Sequence, residues 1–182
     1  MLLLAAGAAA FVFCHVSYAR GLFVQEPGPL SDKTAVTGNA DVTEHADTGW
    51  LTLTNEETGK EYARYQMKDG DWFSIGFIHS VNNSPLTDLY EIHDGKIYVE
   101  KIIYYGFGAG VQTQVEEGQT LEYGEDGSMI ISGLHKELPD LVYIVGTVSD
   151  HTLVVNGEEE ISLRDLCGRH AKVRFDFESS DE

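Results

Sequence analysis

Phe73-Ser-Ile-Gly-Phe-Ile-His79-Ser-Val-Asn-Asn-Ser-Pro85-Leu-Thr-Asp88-Leu-Tyr-Glu91 is the stretch from which the fold can be read. Apolar residues alternate as far as His79, a polar segment marked by Pro85 follows, and a second alternating run begins at Leu86. This is the pattern of two strands joined by a turn. Neighbours along a strand face opposite ways, so Phe73, Ile75, Phe77 and His79 share one face. On the second run Leu86, Asp88, Tyr90 and Ile92 oppose Thr87, Leu89, Glu91 and His93.

The same pattern extends in both directions. From Trp50 onward, short alternating runs are separated by Asp69-Gly70, Asp94-Gly95, Asp126-Gly127 and Asn156-Gly157, pairs that supply the positive backbone dihedrals of tight hairpins. Strands are expected at Trp50 to Thr54, Glu61 to Met67, Trp72 to His79, Leu86 to His93 and Lys96 to Tyr105. Five more are expected at Thr120 to Tyr123, Ser128 to Ile131, Leu141 to Val148, Thr152 to Asn156 and Lys172 to Phe177. With no long amphipathic helix and no internal repeat, the expected fold is all-β, an antiparallel two-sheet sandwich or flattened barrel, with a closed barrel as the variant. One capped helical turn is expected at Ser162 to Gly168.

A chain of 182 residues accommodates one domain with a buried core, expected over 48–178. Residues 20–47 contain Pro27-Gly28-Pro29 among small polar residues and read as a flexible linker, and 179–182 as an acidic tail. Met1 to Cys14 is uncharged and apolar, the length of a signal-peptide core. Ser17 and Ala19 stand where a signal peptidase reads small residues, so residues 1–19 are expected to be a cleaved leader or an N-terminal anchor that keeps the domain close to the membrane. The expected location is extracytoplasmic: secreted, periplasmic or anchored to the outer face of the cytoplasmic membrane. Phe13 is too bulky for a lipidation signal before Cys14, and Cys167 then remains as a single packed thiol without a disulfide.

There are 30 acidic and 12 basic side chains, a formal charge of -18, all of it at or beyond Arg20. Such a field repels nucleic-acid phosphates and anionic lipid headgroups and attracts cations. Nucleic acid is therefore not an expected partner.

Candidate chemistry lies at strand ends. If the first strand continued past His79, Ser80 would point away from it, so the adjacent pair makes no serine–histidine couple. His93 or His151 would have to supply a base through folding, and no Gly-x-Ser-x-Gly elbow is present. Ser80, Asn82, Asn83, Ser84 and Pro85 have turn chemistry, and Asn82-Asn83-Ser84 followed by proline is a poor glycosylation acceptor. A hairpin that brought His79 beside Asp88 or Glu91 would let a carboxylate orient the imidazole and form a small polar pocket. Two imidazoles and a carboxylate also suit zinc, although no metal-ligand spacing motif is present. Gly106-Phe-Gly-Ala-Gly110 reads either as backbone that lets an anion approach or as a bend between sheets. It is not a dinucleotide fingerprint, because Val111 takes the last glycine position.

His79-Ser80-Val81, Pro85, Tyr90, Gly108-Ala109-Gly110 and Val148-Ser-Asp-His151-Thr-Leu-Val154 together resemble the signature of the domain of unknown function 1850 family, over roughly Trp50 to Phe177. Asp88 stands where relatives often carry glutamate, which keeps the charge, and Gln112 where proline is expected, so the family's loop shape does not carry over here. The family's genes often lie beside those of TRAP transporters of the TAXI subclass. The resemblance implies an exported accessory to a solute-uptake system and carries over no catalytic residue and no cofactor. Two functions follow as expectations. The first is a non-enzymatic module that binds a small ligand or a transporter component through His79, Ser80, Asn82, Asp88, Tyr90, Gly108, Gly110 and His151. The second is a hydrolase or metal-dependent enzyme centred on His79, Asp88 and His151.

Overall fold

A computed structural model describes residues 48–81, 83–106 and 114–180. The leader, the linker, Asn82, Gly108 and Gly110 lie outside these described residues. The strands are β1 (Thr48–Asn55), β2 (Glu61–Lys68), β3 (Trp72–Ile78), β4 (Pro85–His93), β5 (Lys96–Tyr104), β6 (Thr120–Tyr123), β7 (Met129–Glu137), β8 (Leu141–Ile144), β9 (His151–Val155), β10 (Ile161–Ser162) and β11 (Lys172–Ser179). One short helix, α1 (Leu163–Cys167), falls inside the expected turn, with Ser162 accepting from the Asp165 N–H as N-cap and Gly168 closing the other end.

The strands form a four-stranded sheet, β2-β1-β11-β8, and a seven-stranded sheet, β10-β9-β3-β4-β5-β7-β6. Every pairing is antiparallel. The fold is a two-sheet sandwich, and the described strands do not close into a barrel. Leu51, Leu53, Met67, Val173 and Phe175 of the smaller sheet pack against Phe73, Ile75, Tyr90, Ile92, Leu153 and Val155 of the larger one. Phe73 and Phe175 stack across the interface with ring centroids 5.9 Å apart. Leu86, Tyr104, Met129 and Ile131 make a second apolar cluster.

Asp94-Gly95 makes the expected two-residue hairpin between His93 and Lys96, with φ of 49° and 70°. Asp69-Gly70 does not make a hairpin. It carries the chain from β2 in one sheet to β3 in the other, and its Gly70 N–H donates to the Ile92 carbonyl.

β10 was not expected, and two strands, β7 and β8, differ most from their expected length. β7 continues six residues past Ile131, through Gly133 (φ 75°) and His135 (φ 39°), where its register against β5 shifts between Val99 and Lys101. β8 stops at Ile144 rather than Val148, because the chain turns sharply at Gly146. A Cβ on that glycine would lie 2.1 Å from the Ser149 carbonyl oxygen. At the C-terminal end β11 runs to Ser179, and the Ser180 N–H donates to the Thr48 carbonyl. Among the described residues no helix is long and apolar enough to cross a membrane.

Candidate functional site

β3 ends at Ile78, so His79 and Ser80 belong to the turn and not to a continuing strand. The His79 N–H donates to the Ser84 carbonyl, the Asn83 N–H donates to the His79 carbonyl, and Ile78 pairs with Pro85. The strict alternation that would have turned Ser80 away from His79 therefore does not apply. Both residues border one cavity of about 560 Å³.

That cavity is also lined by Phe77, Leu86, Asp88, Ile102, His151 and the Gly146-Thr147-Val148-Ser149 segment. Its walls come from the larger sheet and from the loop that follows β8 of the smaller one. The loop is fixed from behind. Arg164 of α1 donates through Nη2 to the Val148 carbonyl at 3.1 Å, and Arg169 donates to the Thr147 carbonyl at 2.6 Å. Asp150 accepts from the Ser162 hydroxyl at 2.5 Å and from the Arg164 N–H at 3.0 Å, tying the loop to the start of the helix.

His151, the first residue of β9, accepts at Nδ1 from the Gly146 N–H at 3.0 Å, which leaves Nε2 as the protonated nitrogen of the neutral ring. The ring stacks on Phe77 with centroids 5.0 Å apart, and Tyr143 meets it edge-on at 5.8 Å. Burial is the largest influence on this imidazole and lowers its pKa below the ordinary value; Asp150 opposes and Arg164 reinforces the shift. His79 Nδ1 also faces backbone, the Val81 N–H at 3.4 Å.

Asp88 sits on the inward face of β4 between Leu86 and Tyr90, the side that period-two spacing assigns it. Tyr143, on β8 of the opposite sheet, donates its hydroxyl to Asp88 Oδ2 at 2.5 Å. The Tyr90 and Tyr143 hydroxyls are 2.6 Å apart, so with Tyr143's one proton committed to Asp88, Tyr90 donates to Tyr143. Burial raises the Asp88 pKa, and the tyrosine hydroxyls offset part of the rise. Both phenols are held well above their usual value, first by burial and then by the Asp88 charge.

The structure thus brings His79, Ser80, Asp88 and His151 to one cavity. Tyr90 is in the core, 3% exposed, with its hydroxyl against that of Tyr143 and contributing to the environment of Asp88. Sequence reasoning missed Tyr143 and the Gly146-Thr147 part of the wall loop, which arrive from the other sheet; it named Val148 and Ser149 only within the family-like block and Phe77 only as a strand-face residue. Among the described residues, Asp69, His93 and Asp94 form a group whose potential ligand atoms lie within 4.8 Å of one another. It sits at the other end of β4 from Pro85, and His79, Asp88 and His151 do not form such a group.

Compared with known proteins, the family model described as Domain of unknown function (DUF1850) matches residues 73–163. The match is narrower than the resemblance read from the sequence: it includes every residue lining the cavity and Tyr143, and leaves out β1, β2 and β11. No curated protein and no solved structure matches the chain.

Proposed function

The chain belongs to the DUF1850 family, and we propose that it is an extracytoplasmic accessory module of a TRAP/TAXI-type solute uptake system that binds a small ligand in the cavity at the end of β3. The observation that supports this reading is the convergence of His79, Ser80, Asp88 and His151 on one concavity. Its volume of about 560 Å³ is in the range of small-molecule sites, which pair apolar walls with a few convergent polar groups. Phe77, Leu86 and Ile102 supply the apolar walls here. The wall loop is cross-braced by Arg164, Arg169 and Asp150, so the site is formed before a ligand arrives, which lowers the ordering cost of binding.

The same convergence supports the alternative, a hydrolase centred on His79, Asp88 and His151. Local hydrogen bonds favour binding. A general base accepts a proton at a free ring nitrogen, whereas both imidazoles use Nδ1 on backbone N–H groups and Asp88 accepts from Tyr143 rather than orienting a histidine.

The test uses the tagged full chain expressed in its native cells. The reading expects the protein outside the cytoplasm, a transporter component or small molecule co-purifying with it, and solute uptake reduced by Asp88→Ala and His151→Ala. A cytoplasmic protein, or wild-type uptake and co-purification in both variants, would refute it. Turnover of ester or peptide substrates lost in the same variants would establish the hydrolase instead.

A further inference from the structure

We propose that the cavity selects a small organic cation, an ammonium group on an apolar body, with Asp88 as its counter-charge. This rests on the reading of the cavity as a ligand site and adds the chemical class of the ligand. Among the described lining residues Asp88 is the one carboxylate, and none is Lys or Arg. The groups that hold it are the neutral hydroxyls of Tyr143 and Tyr90, and no cation among the described residues adds to its electrostatic environment.

Phenols satisfy lone pairs but leave the negative charge in place. A carboxylate withdrawn from water without a cation is costly, and buried charges are ordinarily paired. Here the unpaired charge borders an open cavity large enough for a ligand, so the partner can come from outside. Phe77 also lines the cavity, with its ring stacked on His151, and cations are attracted to aromatic rings.

An anionic ligand would find neutral donors at His151 Nε2 and at the Ser80, Thr147 and Ser149 hydroxyls. It would also lie beside Asp88 with no cation between them. Two like charges in contact in a partly dried cavity repel by more than a single neutral hydrogen bond returns. The formal charge of -18 acts in the same direction, concentrating cations and repelling anions at the surface.

The experiment titrates the folded domain in the full chain with three matched probes, phenethylammonium, 3-phenylpropionate and 3-phenylpropanol, following backbone amide resonances of Gly146, Ser149 and His151 by NMR. Phenethylammonium is expected to bind at least tenfold more tightly than the other two, and Asp88→Asn to abolish that preference. The substituted side chain keeps a carbonyl oxygen as acceptor for Tyr143, and the amide spectrum of the variant reports whether the fold is intact. If the carboxylate or the alcohol binds as tightly as the amine, the cation inference is overturned while the cavity remains a ligand site. If none of the three perturbs the cavity resonances and a shift appears elsewhere or nowhere, the ligand-site reading fails as well, and this inference with it.

Discussion

The Tyr143 hydroxyl donates to Asp88 Oδ2 at 2.5 Å across the sandwich, from β8 in the smaller sheet to β4 in the larger one. This hydrogen bond therefore links the two sheets and favours the ionised form of a carboxylate that burial disfavours.

Tyr143→Phe removes this donor and leaves a partly buried carboxylate with weaker support, at a cost of about 1–3 kcal/mol in urea unfolding. The cost should depend on pH. Burial raises the Asp88 pKa in the folded state above its ordinary 3.8, so this group's stabilisation is present below that value and is lost as pH rises through the folded pKa. The tyrosine hydroxyl opposes the rise, and deleting it pushes the folded pKa further up. The destabilisation measured at pH 7 should thus exceed that at pH 4, and an equal penalty at both would separate Tyr143 from the Asp88 charge.

His151 carries the opposite sign. Its folded pKa is lowered by burial from the ordinary 6.5, so its contribution is present above that value and is lost as pH falls through the folded pKa. His151→Phe preserves the stack on Phe77 but leaves the Gly146 N–H without its acceptor, costing about 1–3 kcal/mol. Stability of the variant, followed by urea unfolding from pH 7.5 to pH 5, should fall less steeply than that of the wild type.

Gly146→Ala places a methyl group 2.1 Å from the Ser149 carbonyl oxygen, a backbone atom that the chain cannot move aside cheaply. Overpacking of this kind costs about 1–3 kcal/mol. The expected result is a lower melting temperature with amide shift changes concentrated in Gly146 to His151. Wild-type stability would mean that the loop is free to open.

Cys167 is the last residue of α1 and is half-buried, and burial pushes its thiol up to about 11. Alkylation by iodoacetamide at pH 8, read peptide by peptide, should be slower in the native protein than in urea by tenfold or more. Equal rates would place the sulfur in solvent.

The fold was legible where local chemistry decides it. Asp94-Gly95 and the strands that it joins follow from a dipeptide that accepts two positive dihedrals, and Ser162 with Gly168 marks the helical turn. The extension of β7 was not legible, because a residue with φ 39° at His135 interrupts alternation without ending the ladder. At the site, Asp88 was legible as a carboxylate that a hairpin could bring near His79, and His151 lay in a block resembling the family signature. Tyr143 was invisible because 55 residues separate it from Asp88, and only sheet packing brings the two together.

The most direct measurement is crystallographic fragment screening of the protein, with amine, neutral and carboxylate fragments soaked separately. The account predicts density for bound fragments in the cavity between Phe77, Asp88 and His151, with the amines contacting the Asp88 carboxylate. A cavity holding only solvent across all three sets, with fragments bound at other surfaces, would contradict it.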